Sequence, residues 1–410
     1  MALSLIYKNH NFGLLWLAQF VSFVGDGVFQ IGMVWWLVNK THSGTLLGLI
    51  MSVSFIPAVI LGPFAGTLAD RAPPKRLLIS SDLIRAALLL LFAWISHQDK
   101  LEVWHLFVLT GLLSASGIFY SPTTLTVIPR VVTPERIDEA MALHAIIRDL
   151  SKLLGPTAGG ALMIWFSVAD VFMIDAFSFL FSAICILIMR IEKHSCSQTQ
   201  EGIFSQLMEG FAYVRKETIL FDVLIGFSLL NLFAVPILVL IPIMIADVFH
   251  RGSVELGMCE GALSLGSVLA GLGFDYFFKG VPLSRLLVRT LGFSGFLFLG
   301  FAIIPNFYVF LGGLLCLGGC FITVNVGILT LFQQVVAPEM KGRFFSLVET
   351  ISSALFPITL ALAGFSADKI GVAETLAICG IGTFILTFRF AKIKGLSTLD
   401  LSKTPKSGGG

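Results

Sequence analysis

Apolar residues in this chain run continuously instead of alternating with polar ones. Long apolar runs recur from end to end, broken by short polar stretches. Each is long enough for an α-helix to cross the hydrocarbon core of a bilayer, which takes roughly 20 residues. The pattern predicts twelve such spans. Six lie at 11–38, 44–69, 77–97, 103–129, 138–166 and 170–190, and six more at 219–248, 254–278, 285–304, 308–335, 343–367 and 373–393. A membrane β-barrel would show strict alternation, which is absent. The widest polar gap, 191–218, holds Glu192, Lys193, His194, Gln198, Gln200 and Glu201 and divides the spans six and six. The predicted organisation is therefore an N-terminal six-helix half (1–190), a cytoplasmic linker (191–218), a C-terminal six-helix half (219–393) and a cytoplasmic tail (394–410). Residues 1–10 lack the basic region and small-residue cleavage site of a signal peptide, so the first run reads as a retained span.

Composition narrows the class. Of 410 residues, 56% are hydrophobic and 13% are charged. A soluble domain carries about 25% charged residues. A soluble enzyme, a disordered chain and a single-span receptor with a large outer domain are excluded. A formal net charge of +2 gives no reason to expect a nucleic-acid partner. Six cysteines are scattered, mostly inside apolar runs, where a free thiol behaves as a small hydrophobe, so no disulfide framework is expected.

The placement of the basic residues is more informative than their number. Lys and Arg favour cytoplasmic loops. With both ends inside, the cytoplasmic loops and termini carry nineteen Lys and Arg, among them Lys75, Arg76, Arg130, Arg136, Arg190 and Arg343. The opposite side carries only Lys40, Lys100, Arg251 and Lys369. The expected topology is a multi-pass protein of a bacterial-type inner membrane with both termini cytoplasmic. Its last residues, 402–410, read as a flexible end.

The two halves repeat. Val131-Val132-Thr133-Pro134-Glu135 follows span four, and Val335-Val336-Ala337-Pro338-Glu339 follows span ten, 204 positions later. Gly66 and Gly271, and Asp70 and Asp275, recur at an offset of 205. Repeats in the same membrane orientation mark one class of transporter, which binds its substrate near the midplane between the halves.

Two motifs strengthen that reading. Gly66-Thr67-Leu68-Ala69-Asp70-Arg71-Ala72-Pro73-Pro74-Lys75-Arg76 joins spans two and three. Gly66 permits close helix approach, and Asp70 suits the positive N-terminal end of a neighbouring helix. In span five, Ser151, Gly155 and Gly159 form a small-residue stripe, and Pro156 removes one helix hydrogen bond. The first motif resembles the loop signature of the major facilitator superfamily, and the second resembles the motif of its exporting, antiporter branch. The resemblance covers the whole chain. It implies that Asp70, with Arg71 beside it, belongs to a cytoplasmic gate, and that Gly155, Pro156 and Gly159 form a packed hinge. Pro73 and Pro74 depart from the usual loop, which has Gly and a basic residue there.

Smaller pieces narrow the resemblance further. They are Val24-Gly25-Asp26, Asp82-Leu83-Ile84-Arg85-Ala86, Asp175-Ala176-Phe177-Ser178-Phe179, Glu209-Gly210-Phe211 with Tyr213 and Arg215, and Gly342-Arg343. In that order they resemble the subgroup of macrolide-efflux proteins, enterobactin exporters and lysophospholipid transporters. One feature is missing. Many proton-driven exporters of the superfamily carry an Arg within span four, and 103–129 has no Arg or Lys, so proton coupling must use other residues.

Ionisable residues inside spans are the candidates for that work, because each costs roughly 2.5–3.5 kcal/mol to place at the bilayer centre. Gln19, Asp26 and Gln30 share one face of span one. A carboxyl removed from water favours its neutral form, which suits proton binding by Asp26. The competing reading for Asp26 is a structural hydrogen bond. His144, Arg148 and Lys152 share a face of span five, with Asp149 about 100° away. Arg148 either pairs with Asp26, faces an anionic substrate, or pairs with Asp149. His144 reads as hydrogen-bonded packing before it reads as a proton relay. In the second half, Glu260 in span eight and Glu349 in span eleven each head a short polar face suited to protons or a cationic substrate. Asn231 and Asn325 are weaker candidates for contacts to cargo. Asp82, Arg85 and Asp175 read as scaffold. Among 38 Phe, those at 23, 29 and 233 are candidates to line a cavity, against a default of lipid contact and helix packing.

No phosphate-binding loop, zinc motif or nucleophile elbow is present, so neither an enzyme nor a metal site is read. The expected protein is an all-α secondary transporter with the major facilitator fold. It exports a bulky amphipathic small molecule of drug or siderophore type by proton antiport. It acts as a monomer in the lipid bilayer, with the proton gradient as its energy source and no cofactor. Uptake or flipping of a siderophore, metal or lipid is the alternative, and a non-transporting sensor is the rival class.

Overall fold

A bilayer offers no hydrogen-bond partners, so apolar runs of this length satisfy their backbones internally as helices. The computed structural model describes residues 3–62, 72–191, 203–278 and 281–393, and these are almost entirely helical. Asp70, Arg71 and Gly66 lie outside the described residues, as does the tail 394–410. The long helices are α1 (His10–Thr41), α2 (Gly44–Gly62), α3 (Pro74–His97), α4 (Val103–Val131), α5 (Ile137–Leu162) and α6 (Val168–Ile188). They continue as α7 (Thr218–Val248), α8 (Ser253–Phe278), α9 (Leu283–Ile303), α10 (Phe307–Val335), α11 (Lys341–Ile370) and α12 (Val372–Lys392). Among the described residues, 11 helices are long and apolar enough to cross a membrane. The exception, α5, is long enough at 26 residues, but Arg148, Asp149 and Lys152 crowd its apolar part.

Polar residues fix the helix ends. Asn9 caps α1 by accepting from the Phe12 amide at 3.0 Å, and His42 closes it in a left-handed conformation. Ser167 and Asp170 form a capping box at the start of α6. At its other end the Lys75 ammonium donates to the Leu187 and Met189 carbonyls. The two halves of the repeat take the same shape after α4 and α10. Pro134–Arg136 and Pro338–Met340 are single 3₁₀ turns entered from extended backbone at Thr133 and Ala337.

The chain forms two compact units. The first comprises Met1–His42, Ile50–Gln198 and His250–Gly261, and the second Ser43–Leu49, Thr199–Phe249 and Ala262–Gly410. In the first unit α1 packs against α5 and α6, and α3 against α6. An ideal Cβ on Gly155 would lie 2.9 Å from the Gly27 Cα, so α1 and α5 touch backbone to backbone. Gly155, Pro156 and Gly159 are all buried in this contact, and α5 runs unbroken through Pro156.

In the second unit α9 pairs with α12, and α7 packs against α11 and α12. The polar gap between the halves contains a helix, Ile203–Lys216, that packs on α11. There the Arg343 guanidinium meets the Glu209 carboxylate at 2.7 Å, and the Ala337 amide donates to the Tyr213 hydroxyl. Two sequence motifs more than a hundred residues apart thus converge.

Asp368, near the end of α11, caps the start of α2. It accepts from the Gly44 amide at 2.7 Å, the Thr45 amide at 2.9 Å and the Ser43 hydroxyl at 2.9 Å. Removing it orphans two helix-start donors, at about 1 kcal/mol for a lost cap. Asp368→Ala is expected to lower the thermal midpoint of the purified protein, and Asp368→Asn to recover part of the loss. An unchanged midpoint in both would show that the cap contributes nothing.

Candidate functional site

The first unit gathers its charges on three helices. Asp26 comes from α1, Asp82 and Arg85 from α3, and Asp175 from α6. α1 and α6 meet at Gly25, where any Cβ would strike the Ser178 hydroxyl and the Asp175 carboxylate. That close approach sets Asp26, half-buried, beside the α6 acid. Asp82 and Asp175 are both 0% exposed. The Ser182 hydroxyl donates to Asp82 Oδ2 at 2.7 Å, and the Ser178 hydroxyl to Asp175 Oδ1 at 3.0 Å. The second oxygen of each, Asp82 Oδ1 and Asp175 Oδ2, is buried without a hydrogen-bond partner.

Arg85 is the cation of this cluster. Its guanidinium lies over the Phe179 ring at 5.0 Å and the Tyr120 ring at 5.6 Å. It is within electrostatic reach of Asp26, Asp82 and Asp175, and forms no direct ion pair among the described residues. Room for it exists because residue 117 of α4 is glycine: a Cβ there would overlap the guanidinium. The neighbouring helix thus brings a cation to the stretch 103–129 of α4, which has no Arg or Lys of its own.

This arrangement corrects part of the sequence reading. Arg148 does not pair with Asp26. Its guanidinium lies 3.8 Å from Asp149 on the exposed side of α5, where Lys152 also approaches Asp149 at 3.9 Å. Asp82, Arg85 and Asp175, read as scaffold, surround Asp26 instead. Gln19 and Gln30 do not join it. Gln30 is exposed, and Gln19 is buried, donating to Thr124 at 3.1 Å and lying 3.0 Å from His144 Nδ1. His144 is thus hydrogen-bonded packing. The signal for the missed residues was in the sequence, since Asp82, Arg85 and Asp175 stand in otherwise apolar runs. What the sequence lacked was any sign of which faces meet.

The second unit holds a cavity of ≈ 210 Å³. Asn231 of α7 and Asn325 of α10 line it, with Phe227, Phe298, Phe321 and Phe356 among the apolar walls. Its Ser294 and Thr383 hydroxyls bond back to their own helices at Leu291 and Cys379, leaving the two amides as the polar groups free to meet a ligand. The phenylalanines singled out from sequence lie elsewhere: Phe29 packs on Phe172 at 5.2 Å, and Phe233 against Gly382. Glu260 is half-buried in the α8 segment belonging to the first unit, and Glu349 is exposed on α11. Within its own unit, Glu260 does not join the Asp26 cluster, and Glu349 does not line the cavity. No group of three or more His, Cys, Asp or Glu side chains among the described residues is arranged to hold a metal ion.

Comparison with known proteins agrees with this architecture. The family model described as transmembrane secretion effector matches residues 5–405. Macrolide efflux protein A of Streptococcus pyogenes is 25% identical over 96% of this chain and 99% of its own length. The staphyloferrin A transporter of Staphylococcus aureus is 21% identical over 94% of this chain and 97% of its own. A crystal structure of a variant of the nucleoside transporter NupG matches with a TM-score of 0.76 at 13% identity, covering 93% of this chain and 99% of that one. The chain is a multi-pass membrane transporter, not an enzyme, and belongs to the transmembrane secretion effector family of the major facilitator superfamily.

Proposed function

We propose that this transporter exports a bulky amphipathic small molecule, of drug or siderophore type, in exchange for protons. Twelve spans with both termini cytoplasmic would place the Lys- and Arg-rich loops inside a bacterial inner membrane. Two six-helix halves would alternate access to the two sides. Asp70 and Arg71 would form the cytoplasmic gate, and the packed Gly155–Pro156–Gly159 stretch its hinge. Asp26 is the coupling group. The observation that carries the reading is the division of chemistry between the units. Buried carboxylates with a cation occupy one, and a Phe-walled cavity with two unpaired amides occupies the other. Such a cavity suits the apolar part of a ligand with a few hydrogen-bonding groups. The full-length similarity to a macrolide efflux protein supports the direction.

Transport into inside-out vesicles under an imposed pH gradient tests this. The probes are a macrolide, a cationic dye, a lysophospholipid, and ferric and metal-free siderophores. Accumulation of one class, collapsed by an uncoupler, is the expected result. No gradient-dependent movement of any probe overturns proton-driven export. Siderophore uptake is the second reading, favoured by the similarity to the staphyloferrin A transporter, and whole-cell uptake of the ferric form would reveal it.

A further inference from the structure

The first unit holds three carboxylates around one guanidinium inside apolar helices. We propose that Asp26, Asp82, Asp175 and Arg85 together form a two-proton site, in which the three carboxylates share two protons. This rests on the proton-coupled reading above and deepens it.

The argument is one of charge balance. Fully ionised, the cluster would carry two negative charges more than it has positive ones, in a place where unbalanced charge is costly. Two protons make it neutral. The hydrogen bonds agree. Each fully buried acid has one oxygen satisfied by a serine and one with no partner at all, Asp82 Oδ1 and Asp175 Oδ2. An ionised carboxylate with an orphaned buried oxygen is the costliest state available to it, and a proton relieves that cost. The groups facing the cluster from α1, α3, α4 and α6 are Asp26, Asp82, Arg85, Tyr120 and Asp175. Arg85 rests on aromatic faces and not against any one acid, so its charge is available to whichever carboxylate loses its proton. Its presence also disfavours a metal cation, and the carboxylates do not converge on a metal position. Half-buried Asp26 is the group through which protons enter and leave, and the two fully buried acids store the second.

Infrared spectroscopy of the purified protein counts these protons without cargo or transport. The band read is the carbonyl stretch of protonated carboxyls, lost on moving from mildly acidic to mildly alkaline buffer. All variants are made in a Glu260→Gln background, which removes a half-buried acid of α8 that lies outside the cluster. Asp26→Asn, Asp82→Asn and Asp175→Asn each remove one negative charge, and each is expected to halve the band. Arg85→Gln removes the cluster's cation and is expected to raise it by half. Asp82→Glu and Asp175→Glu keep the acid and should retain the full band. The proposal is overturned if Asp82→Asn and Asp175→Asn leave the band unchanged, or if Asp26→Asn alone abolishes it. It is also overturned if Arg85→Gln fails to raise it. Should a single Asn variant not elute as a folded species, the remaining Asn variants and Arg85→Gln still decide. Failure of every vesicle probe above would sink the export reading and leave this proton count standing.

Discussion

Asp26→Asn is expected to give folded protein that no longer accumulates cargo against its gradient. The amide keeps the shape of the acid, so the contact of α1 with α6 at Gly25 survives. What is lost is the ability to change charge. A cluster that cannot release its proton through α1 has no means of linking the pH gradient to the conformational cycle, because a ligand shifts an equilibrium only by its differential affinity for the two states. Gradient-driven uptake into inside-out vesicles should fall to background. Exchange of labelled for unlabelled cargo without a gradient should persist. Equal loss of both would point to a folding or binding defect, and unchanged pH dependence of transport would remove Asp26 from the coupling mechanism.

The second large effect is on stability. Gly155→Leu is expected to prevent close packing of α1 on α5. A Cβ alone at this position would lie 2.9 Å from the Gly27 Cα and 3.0 Å from the Val24 carbonyl oxygen, and these backbone atoms cannot rotate aside. Overpacking of a tight contact costs about 1–3 kcal/mol. A leucine forced against backbone lies at the upper end of that range or beyond it. The variant should yield little folded protein, with a markedly lower thermal midpoint in whatever is recovered. Gly155→Ala should fall between it and wild type. A normal midpoint for Gly155→Leu would mean that α1 and α5 can separate freely, and that the small-residue stripe has no packing role.

These two residues were legible in the sequence to different degrees. Gly155 belongs to a stripe repeating every four residues, and such a stripe specifies a helix contact by itself. Asp26 stood out as a carboxylate in an apolar run, but its partner was open. Arg148 had a plausible spacing within its own helix, yet it pairs with Asp149 on the exposed side of α5. Arg85 had no such spacing to recommend it, yet its guanidinium rests on rings of α4 and α6 within electrostatic reach of acids on α1, α3 and α6. Asn231 and Asn325 were picked out as lone amides, and the fold brings them to one cavity. The phenylalanines beside them could not be told from the others.

The sequence by itself determined where the long apolar helices lie and that the two halves repeat, and the repeated segments fold to matching 3₁₀ turns at Pro134 and Pro338. Those properties follow from local chemistry: apolar length and proline act within a few positions of where they stand. Only the tertiary structure decided which faces meet. In soluble helices a polar face marks what points outward. Here lipid and helix neighbours are both apolar, so α3 and α6 carry apolar residues on buried and exposed sides alike, such as Leu89 and Leu91 or Phe179 and Ile184, and these give no such sign. The gathering of Asp26, Asp82, Arg85 and Asp175 depends instead on where glycines let backbones and a guanidinium approach, at Gly25, Gly27 and Gly117, and that is a property of helix pairs, not of any one helix.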